Sequence, residues 1–313
     1  MEVGGFFELE LQNKGHYHSN GLLFNSCRNA LRYYVKKKKI KEIYLPDYTC
    51  PSVWTAVLAE GCIIKPYEVD DDFRPIYDFM EDDWVLYTNY LGLCDNIADD
   101  LSLFLNNMIF DCAQSFFSHN KGIATIYSPR KFFGVPDGGI LISDLETNTE
   151  LNKCYSYDKC EHLLKRIECP PNEAYNSYCG NEIAIGESSI QIMSGITEKI
   201  LKSIDYDQVI KKRKENYAYL DKKLSGYTEK KILIGNDSVP LAYPFFNGDY
   251  ELRKKLIKKG VYVAKYWNKD DNVKCLSLSK SIKMADMLIP LPIDQRYSKE
   301  EMDYIADVVI DEL

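Results

Sequence analysis

Short apolar runs alternate with helical patterns through the first half of this 313-residue chain. The runs are, in order, GLLF, SCRNALRYYVKKKK, EIYLP, PSVWTAVLAEG, CIIKPYEV, DWVLYTNY, IADDLSLFLNN, NMIFDC, IATIYS and GGILIS. Neighbouring parallel strands need a long crossover, which is usually a helix, so this alternation is typical of a mostly parallel sheet covered by helices. We therefore expect an α/β fold.

The second half of the chain predicts a smaller unit. From about residue 145 the sequence is polar and irregular, and from about residue 186 its apolar residues recur at helical spacing, with a break near Ser203 to Tyr206. The segments after it, including PLAYPFFN, ELRKKLIKKG, MLIPLP and SKEEMDYIADVVIDEL, indicate an α+β unit. We predict a large domain at 1–225, with a helical connection at about 186–225, and a small C-terminal domain at 226–313.

Charge and hydropathy exclude two classes of partner. The net charge of -8 and the pI near 5.2 argue against binding to nucleic acid or to an anionic membrane surface. The basic run Lys36 to Lys39 is interpreted as a solvated helix end. No apolar run approaches the roughly 20 residues that a membrane-spanning helix needs.

The ten cysteines favour reduced thiols over a disulfide framework. The chain is long and opens with MEVGGFFELEL, which lacks the basic start and apolar core of a signal peptide. The closest pairs that share no cysteine, Cys154 with Cys160 and Cys169 with Cys179, do not form the doublets of a structural zinc site. We therefore expect a cytoplasmic protein without a metal centre.

Two charged residues, Asp111 and Lys131, follow apolar runs that we predict to be strands. The carboxyl ends of strands in an open α/β sheet are where ligands bind, so both side chains are candidates for one site. A lysine among aromatic residues is expected to be desolvated, with a lowered pKa and a nucleophilic amine. Alternatively, Asp111 caps a turn and Lys131 extends to the surface from a loop.

A third candidate lies in NSCRNALRYYV, where Ser26 occupies the position of a helix N-cap. Free amides and the helix dipole make such a terminus a seat for a phosphate group. Ser128, three residues before Lys131, could add a second hydroxyl. In the simpler reading, Ser26 only caps the helix and Ser128 only ends a strand.

Taken in order, these motifs resemble one known family. They are S-x-x-x-A-L after an apolar run, P-x-x-T before a helix, D-x-A-Q, and a lysine with two glycines seven and eight positions later. The matching residues are Ser26 to Leu31, Pro46 and Thr49, Asp111 to Gln114, and Lys131 with Gly138 and Gly139. The pattern resembles the DegT/DnrJ/EryC1/StrS family of pyridoxal-phosphate-dependent sugar aminotransferases. GITEKILKSIDYDQVIKKRKENYAYL and IPLPIDQRYSKEEMDYI extend the resemblance over nearly the whole chain.

The resemblance implies a fold of type I, in which a mostly parallel seven-stranded sheet precedes a small α+β domain. It also implies that Lys131 binds pyridoxal 5'-phosphate covalently, that Asp111 pairs with the pyridine nitrogen and that Gln114 bonds to the phenolic oxygen. The phosphate would be held by Ser26, Cys27 and Arg28 together with Ser128. Cys50 stands at the family's ring-stacking position, so Tyr48 is expected to stack on the ring instead, with a buried core role as the alternative.

This chain departs from the family pattern around the phosphate. The usual Gly-Thr after the first serine is Cys27-Arg28, and the serine usually found five positions before the lysine is Ile126. The asparagine that reaches the neighbouring subunit's phosphate in the family has no counterpart in GESSIQIMSG. The change to Cys27-Arg28 exchanges a small turn for a guanidinium, which could bind phosphate through two parallel hydrogen bonds.

By resemblance, the protein is expected to be a homodimer that moves an amino group from a donor such as glutamate to a nucleotide-linked keto-sugar for surface polysaccharide or glycan biosynthesis. Residues expected to line the substrate site are Tyr90, Lys265, Trp267 and Arg296. Three alternatives remain: a lyase or non-sugar transaminase with the same cofactor, a non-catalytic binding protein with this fold, and an unrelated nucleotide-binding protein. The last is disfavoured because neither G-x-G-x-x-G nor G-x-x-x-x-G-K-[ST] occurs.

Overall fold

A computed structural model of the chain describes residues 3–146, 151–235, 237–267 and 279–313. The alternating runs of the first half form the predicted sheet. Its strands are β1 Leu22–Phe24, β2 Glu42–Pro46, β3 Ile63–Val69, β4 Pro75–Ile76, β5 Trp84–Thr88, β6 Asn107–Cys112, β7 Ala124–Tyr127 and β8 Gly139–Ser143. The spatial order is β1-β8-β7-β6-β5-β2-β3-β4. The expected seven strands are present, and β4 adds a two-residue eighth strand at the edge.

The strand directions bring several chain segments to one edge of the sheet. Strands β3, β2, β5, β6 and β7 are parallel neighbours, whereas β8 is antiparallel to both β7 and β1. Thr88 is in register with Asp111, which is in register with Ile126 on the next strand. The carboxyl ends of β5, β6 and β7 therefore lie together, where a ligand is expected.

Helices cover both faces of the sheet. Those among the described residues are α1 Cys27–Lys38, α2 Pro51–Ala59, α3 Asp95–Phe104, α4 Glu161–Glu168, α5 Pro171–Gly186, α6 Gly195–Ser203, α7 Tyr206–Leu224, α8 Leu252–Lys258, α9 Ser279–Met287 and α10 Lys299–Asp311. None of them has the length and apolarity that crossing a membrane requires. As predicted, the lysine run from Lys36 onward forms the last turn of α1.

Side chains of the strands alternate between two apolar cores. Met108 and Phe110 of β6 pack into the larger core with α7 and the C-terminal elements, and Ile109 packs into the core beneath α1 and α2. Because successive side chains of a strand point to opposite faces, Asp111 faces the same side as Ile109. The sequence alternation thus directs this carboxylate towards the two helices that begin at the ligand edge.

The polar stretch from about residue 145 was predicted to be irregular, and that prediction is wrong. Helices α4 and α5 lie there. In α5 the buried residues are Ala174, Asn181 and Ile185, so the helix lacks the apolar stripe by which periodicity is recognised. The predicted break near residue 204 is confirmed, with α6 capped by the Ser194 side chain and α7 by that of Asp205.

The C-terminal elements form the expected α+β unit. Strands β9 Ala242–Phe246 and β10 Leu288–Pro292 pair antiparallel, with α8, α9 and α10 beside them in sequence. The stretches 231–235 and 261–267 contain no strand. Phe245 and Leu291 belong to the same apolar core as Phe110 of the large sheet. A division of the chain at residue 225 stays a prediction.

Candidate active site

A cavity of about 180 Å³ opens at the carboxyl edge of the central sheet. Thr88 and Asp111 line it from the ends of β5 and β6, and Ser128 lines it just after β7. Ser26 and Cys50 line it from the residues that precede α1 and α2. Strand ends and helix starts meet here because each helix follows a parallel strand.

Asp111 is buried in this cavity, and one of its two carboxylate oxygens accepts a hydrogen bond. Its side chain is 3% exposed, and Oδ1 accepts a hydrogen bond of 2.9 Å from the Ala113 amide. Oδ2 has no hydrogen-bond partner in the described part of the chain. Burial raises the pKa of the carboxyl to about 6, against the opposing effects of the Ala113 amide and Lys131. The carboxylate is therefore an acceptor that still lacks a donor.

Lys131 ends a short 3-10 turn, Pro129–Lys131, which follows β7. The ammonium makes no hydrogen bond or ion pair within the described ranges, and the residue, which is exposed, lines both this cavity and a larger one. The next two residues, Phe132 and Phe133, are buried in the core instead of packing over the amine. The amine is thus accessible to a ligand.

The predicted fall in the pKa of Lys131 is wrong for the protein without a ligand. Desolvation lowers the pKa, but Tyr266, Cys50 and Tyr178 raise it by more, and the net direction is upward. The physical reason is that the phenol and thiol groups of these three residues favour the charged amine by more than the loss of water disfavours it. The amine is therefore protonated at neutral pH until a ligand changes its surroundings.

The first turn of α1 presents to the cavity the groups that the sequence predicted as an anion seat. Ser26 is the N-cap in extended conformation, and its Oγ accepts from the Asn29 amide at 3.1 Å. The amides of Cys27 and Arg28 lie in the first turn, where a helix provides them with no partner. Ser128 is 8% exposed, and among the described residues its hydroxyl has no partner. The residues that carry these groups all line the cavity.

Two guanidinium groups border the same cavity. Arg28 donates from Nη1 to the Gly186 carbonyl at 2.7 Å, and its buried Nε has no partner among the described residues. Arg130 pairs with Glu182 through Nη2, and its Nε is likewise buried without a described partner. Arg130 was missed by sequence analysis, although its position next to Lys131 was a usable signal. Both Nε groups are donors suited to an oxyanion.

Gln114 presents a donor to the cavity. The side chain is 4% exposed, and its Oε1 accepts from the Leu91 amide at 3.0 Å. An amide N–H can only donate, so this bond fixes which end of the Gln114 side chain is oxygen. Nε2, without a hydrogen-bond partner in the described part of the chain, is left on the cavity side.

Tyr48 does not line the cavity. Its ring lies parallel to that of Tyr90, with centroids 5.5 Å apart, and its hydroxyl donates to the Tyr266 carbonyl. Tyr90, proposed from the sequence for the substrate site, is buried in the same cluster and donates to the Tyr48 carbonyl at 2.7 Å. Cys50 lines the cavity at the position that the sequence aligned with ring stacking.

The remaining substrate candidates are scattered. Trp267 lines the small cavity and contacts Tyr48 edge-on, whereas Lys265 pairs with Asp286 at 2.5 Å outside both cavities. Arg296 lines the larger cavity and pairs with Asp294. Cys27 lines the small cavity, where burial and then Asp111 raise the pKa of its thiol well above the usual range.

The larger cavity, of about 1530 Å³, adjoins the small one at Arg130 and Lys131. Its lining is basic, in contrast to the net charge of -8 of the chain. The basic residues are Arg130, Lys131, Lys153, Arg166, Lys199, Arg213 and Arg296, and the acidic ones are Glu8 and Asp294. Sequence analysis missed this cavity because its residues come from distant segments of the chain.

No family model matches the sequence, and no curated protein is detectably similar to it. Solved structures do match. A DegT DnrJ EryC1 StrS aminotransferase from Brucella abortus superposes with a TM-score of 0.65 at 15% identity, over 93% of this chain and 85% of that one. The chain has the fold of these aminotransferases. The predicted fold class is thereby confirmed.

Two further structures extend the likeness. The sugar aminotransferase CalS13 from Micromonospora echinospora matches with a TM-score of 0.63 at 14% identity, over 94% of this chain and 87% of that one. PseC from Helicobacter pylori, an aminotransferase involved in pseudoaminic acid biosynthesis, matches with a TM-score of 0.64 at 13% identity, over 93% and 86%. The resemblance noted from the sequence therefore agrees with the fold.

Proposed function

We propose that this protein is a pyridoxal-phosphate-dependent aminotransferase that moves an amino group from a donor such as glutamate to a nucleotide-linked keto-sugar, in surface polysaccharide or glycan biosynthesis. One observation carries the proposal. The accessible amine of Lys131 and the unpaired Oδ2 of the buried Asp111 line one small cavity that also contains a helix N-terminus. An amine, an acid and an anion seat are the three protein groups that this cofactor requires.

Each polar group of the cavity that lacks a hydrogen-bond partner matches one polar group of the cofactor. Asp111 Oδ2 would accept from the ring nitrogen, Gln114 Nε2 would donate to the phenolic oxygen, and the phosphate would lie at the start of α1. The guanidinium groups of Arg28 and Arg130, each with an Nε that has no partner among the described residues, would supply positive charge beside the phosphate. Bound pyridoxal phosphate supplies an aldehyde and an electron-withdrawing ring.

The protein's own part in the reaction rests on Lys131 and Asp111. Lys131 is the one amine among the described lining residues of the small cavity, and it must lose its proton before it can attack an aldehyde. Once free, Nζ is placed to carry a proton between atoms bound in the cavity. Asp111, as an anion, would hold a proton on the ring nitrogen and so keep the ring electron-withdrawing.

The basic cavity supports an anionic acceptor. Seven basic side chains line a space that opens onto Lys131, and although Arg130, Lys199 and Arg296 are ion-paired, the positive charges outnumber the acidic ones where an acceptor would approach the amine. A sugar bound to a nucleotide diphosphate carries the matching charge. A neutral carbonyl acceptor would not explain this lining, which therefore supports an anionic acceptor such as the nucleotide-linked sugar.

We further propose a cytoplasmic homodimer. Large apolar side chains around the mouth of the larger cavity are exposed, among them Tyr155 at 72%, Tyr157 at 75% and Ile167 at 81%. A surface of this kind supports burial against a second copy. The cytoplasmic location rests on the cysteine-rich sequence, which lacks a disulfide pattern.

The proposal is tested by purifying the protein with added pyridoxal phosphate. We expect a yellow protein whose colour is fixed by borohydride, with the pyridoxyl group mapping to Lys131. Glutamate should bleach the colour and a nucleotide-linked keto-sugar should restore it. Lys131→Ala should remain colourless after gel filtration while unfolding like the wild type. A colourless wild type, or an adduct on another lysine, would contradict the proposal.

A further inference from the structure

Asn89 lies beside Asp111 and at the start of the turn at residues 90–94, which contacts Gln114. It follows the last residue of β5 and is fully buried. Its main-chain nitrogen donates to the Asp111 carbonyl at 2.9 Å. It lines neither cavity described above, so a role at the site must act through other residues.

The side chain of Asn89 closes the turn that follows it. Oδ1 accepts from the Cys94 amide at 2.9 Å, and Nδ2 donates to Ser115 Oγ at 2.9 Å. Ser118 Oγ at 3.1 Å and Asp95 Oδ1 at 3.2 Å are further acceptors for the same nitrogen. The carboxamide thus satisfies a main-chain donor and organises hydroxyl groups beside Gln114.

The enclosed turn holds two consecutive residues with positive φ, Leu91 at 53° and Gly92 at 74°. Left-handed backbone costs a residue such as leucine about 1 kcal/mol or more, so surrounding bonds must support it. One support is the Leu91 carbonyl, which accepts from the Leu241 amide at 2.8 Å. A second is the Leu91 amide, which donates to Gln114 Oε1, and a third is the bond from the Cys94 amide to Asn89 Oδ1, which closes the turn around Leu91.

We infer that Asn89 is a positioning residue, which sets the Gln114 amide through the turn at 90–94 so that Nε2 faces the cavity as a donor. This inference rests on the proposed function, because the donor has a partner only when the cofactor's phenolic oxygen is present. Without Asn89, the turn loses the bond from the Cys94 amide, Leu91 relaxes from its left-handed conformation, and Gln114 Oε1 loses its fixed donor.

The test uses the bound cofactor as its own indicator. A donor to the phenolic oxygen stabilises its anion, so removing the donor should raise the pH at which the bound cofactor's absorption changes. For Asn89→Ala and for Gln114→Ala we expect this midpoint to rise by ~0.5–1 pH unit. In the double variant the two shifts should not add, because both changes remove one interaction.

Two further variants keep the result interpretable. Ser115→Ala removes the nearest of the three acceptors of Asn89 Nδ2 and should shift the midpoint in the same direction by a smaller amount, which decides the matter if Asn89→Ala fails to fold. Asn107→Ala is the matched control, since Asn107 begins β6 at the opposite edge of the sheet and donates to the Asp82 carbonyl. It should leave the midpoint unchanged.

The inference is overturned if Asn89→Ala and Ser115→Ala absorb like the wild type across the pH range. It is also overturned if Asn107→Ala shifts the midpoint equally, or if the Asn89 and Gln114 shifts add. A wild type without any cofactor band would instead refute the proposed function, and this inference with it. The two failures are therefore distinguishable.

Discussion

Gly139 lies directly against the main chain of Ser26: a Cβ built on this glycine would stand 2.2 Å from the Ser26 carbonyl carbon and 2.3 Å from the Cys27 nitrogen. Real Cβ atoms do not approach other atoms so closely. The neighbours are main-chain atoms, which cannot rotate away as a side chain could. Because Gly139, the first residue of β8, has no side chain, the first turn of α1 can pack against the strand at the edge of the cavity.

Gly139→Ala should therefore damage both stability and cofactor binding. Overpacking of a core typically costs 1–3 kcal/mol, and here it would push the phosphate seat out of place. We expect urea unfolding to show a loss of about 2 kcal/mol and a cofactor titration to show an affinity at least about tenfold weaker. Gly180→Ala is the control, because a Cβ at this α5 residue meets nothing within 4 Å. It should be neutral or slightly stabilising.

Asp111→Asn should stabilise the cofactor-free protein at neutral pH. The folded-state pKa of Asp111, about 6, lies above the ordinary value of 3.8, so ionising this buried group opposes folding. The penalty is absent below pH 3.8, grows as pH rises to about 6 and is then constant. It amounts to roughly 3 kcal/mol, since each tenfold change in proton affinity corresponds to ~1.4 kcal/mol.

The free energies of unfolding of the cofactor-free wild type and of Asp111→Asn should thus be equal near pH 4. At pH 7.5 the variant should be the more stable protein. With the cofactor and both substrates, Asp111→Asn should turn over about 100-fold more slowly, as when one preorganised electrostatic group is removed from an active site. Equal stability of the two proteins at both pH values would show that Asp111 is solvated.

Arg28→Ala should weaken binding of pyridoxal phosphate without affecting pyridoxal. A hydrogen bond to a charged group contributes about 1.5–3 kcal/mol, which corresponds to an affinity about 10- to 100-fold lower. Fluorescence titration with both compounds isolates the phosphate contribution. Arg32→Ala, one turn later in α1 and paired with Glu60 at 2.8 Å, is the control and should bind both compounds normally. An equal loss for pyridoxal would indicate a folding defect in place of a phosphate contact.

The residues that sequence analysis placed in one site are those whose position follows from the sheet. Asp111 ends a predicted strand and Ser26 begins a predicted helix, and parallel topology brings such ends to one edge. Lys131 was predicted because it follows an apolar run, and the glycines at 138 and 139 added the family resemblance; Gly139 then proved to be packed against Ser26. Strand direction and chain spacing were sufficient for these residues.

Other features depend on side-chain direction and on contacts between distant segments. Tyr48 lies only two residues before Cys50, yet its ring enters the aromatic core while Cys50 borders the cavity. The basic cavity beside Arg130 and Lys131 forms only when residues of 153–200 and 294–296 fold against these two. It therefore cannot be recognised from any one segment of the sequence. Helix α5 escaped detection because little of it is buried. None of these features produces a regular spacing of apolar residues in the sequence.

Lys153→Ala should weaken binding of the sugar acceptor and leave the amino donor unaffected. Lys153 lines the basic cavity away from the small one, so its charge should act on the acceptor's diphosphate and not on glutamate at the cofactor. We expect KM for the acceptor to rise about threefold to tenfold in low salt, and the difference to shrink as salt screens the charge. Lys211→Ala is the control, since Lys211 is exposed on α7, lies near Glu215 and lines neither cavity. Steady-state kinetics with each substrate varied in turn separates the two constants. An equal rise in the KM values for donor and acceptor would contradict the prediction that the basic cavity binds the acceptor.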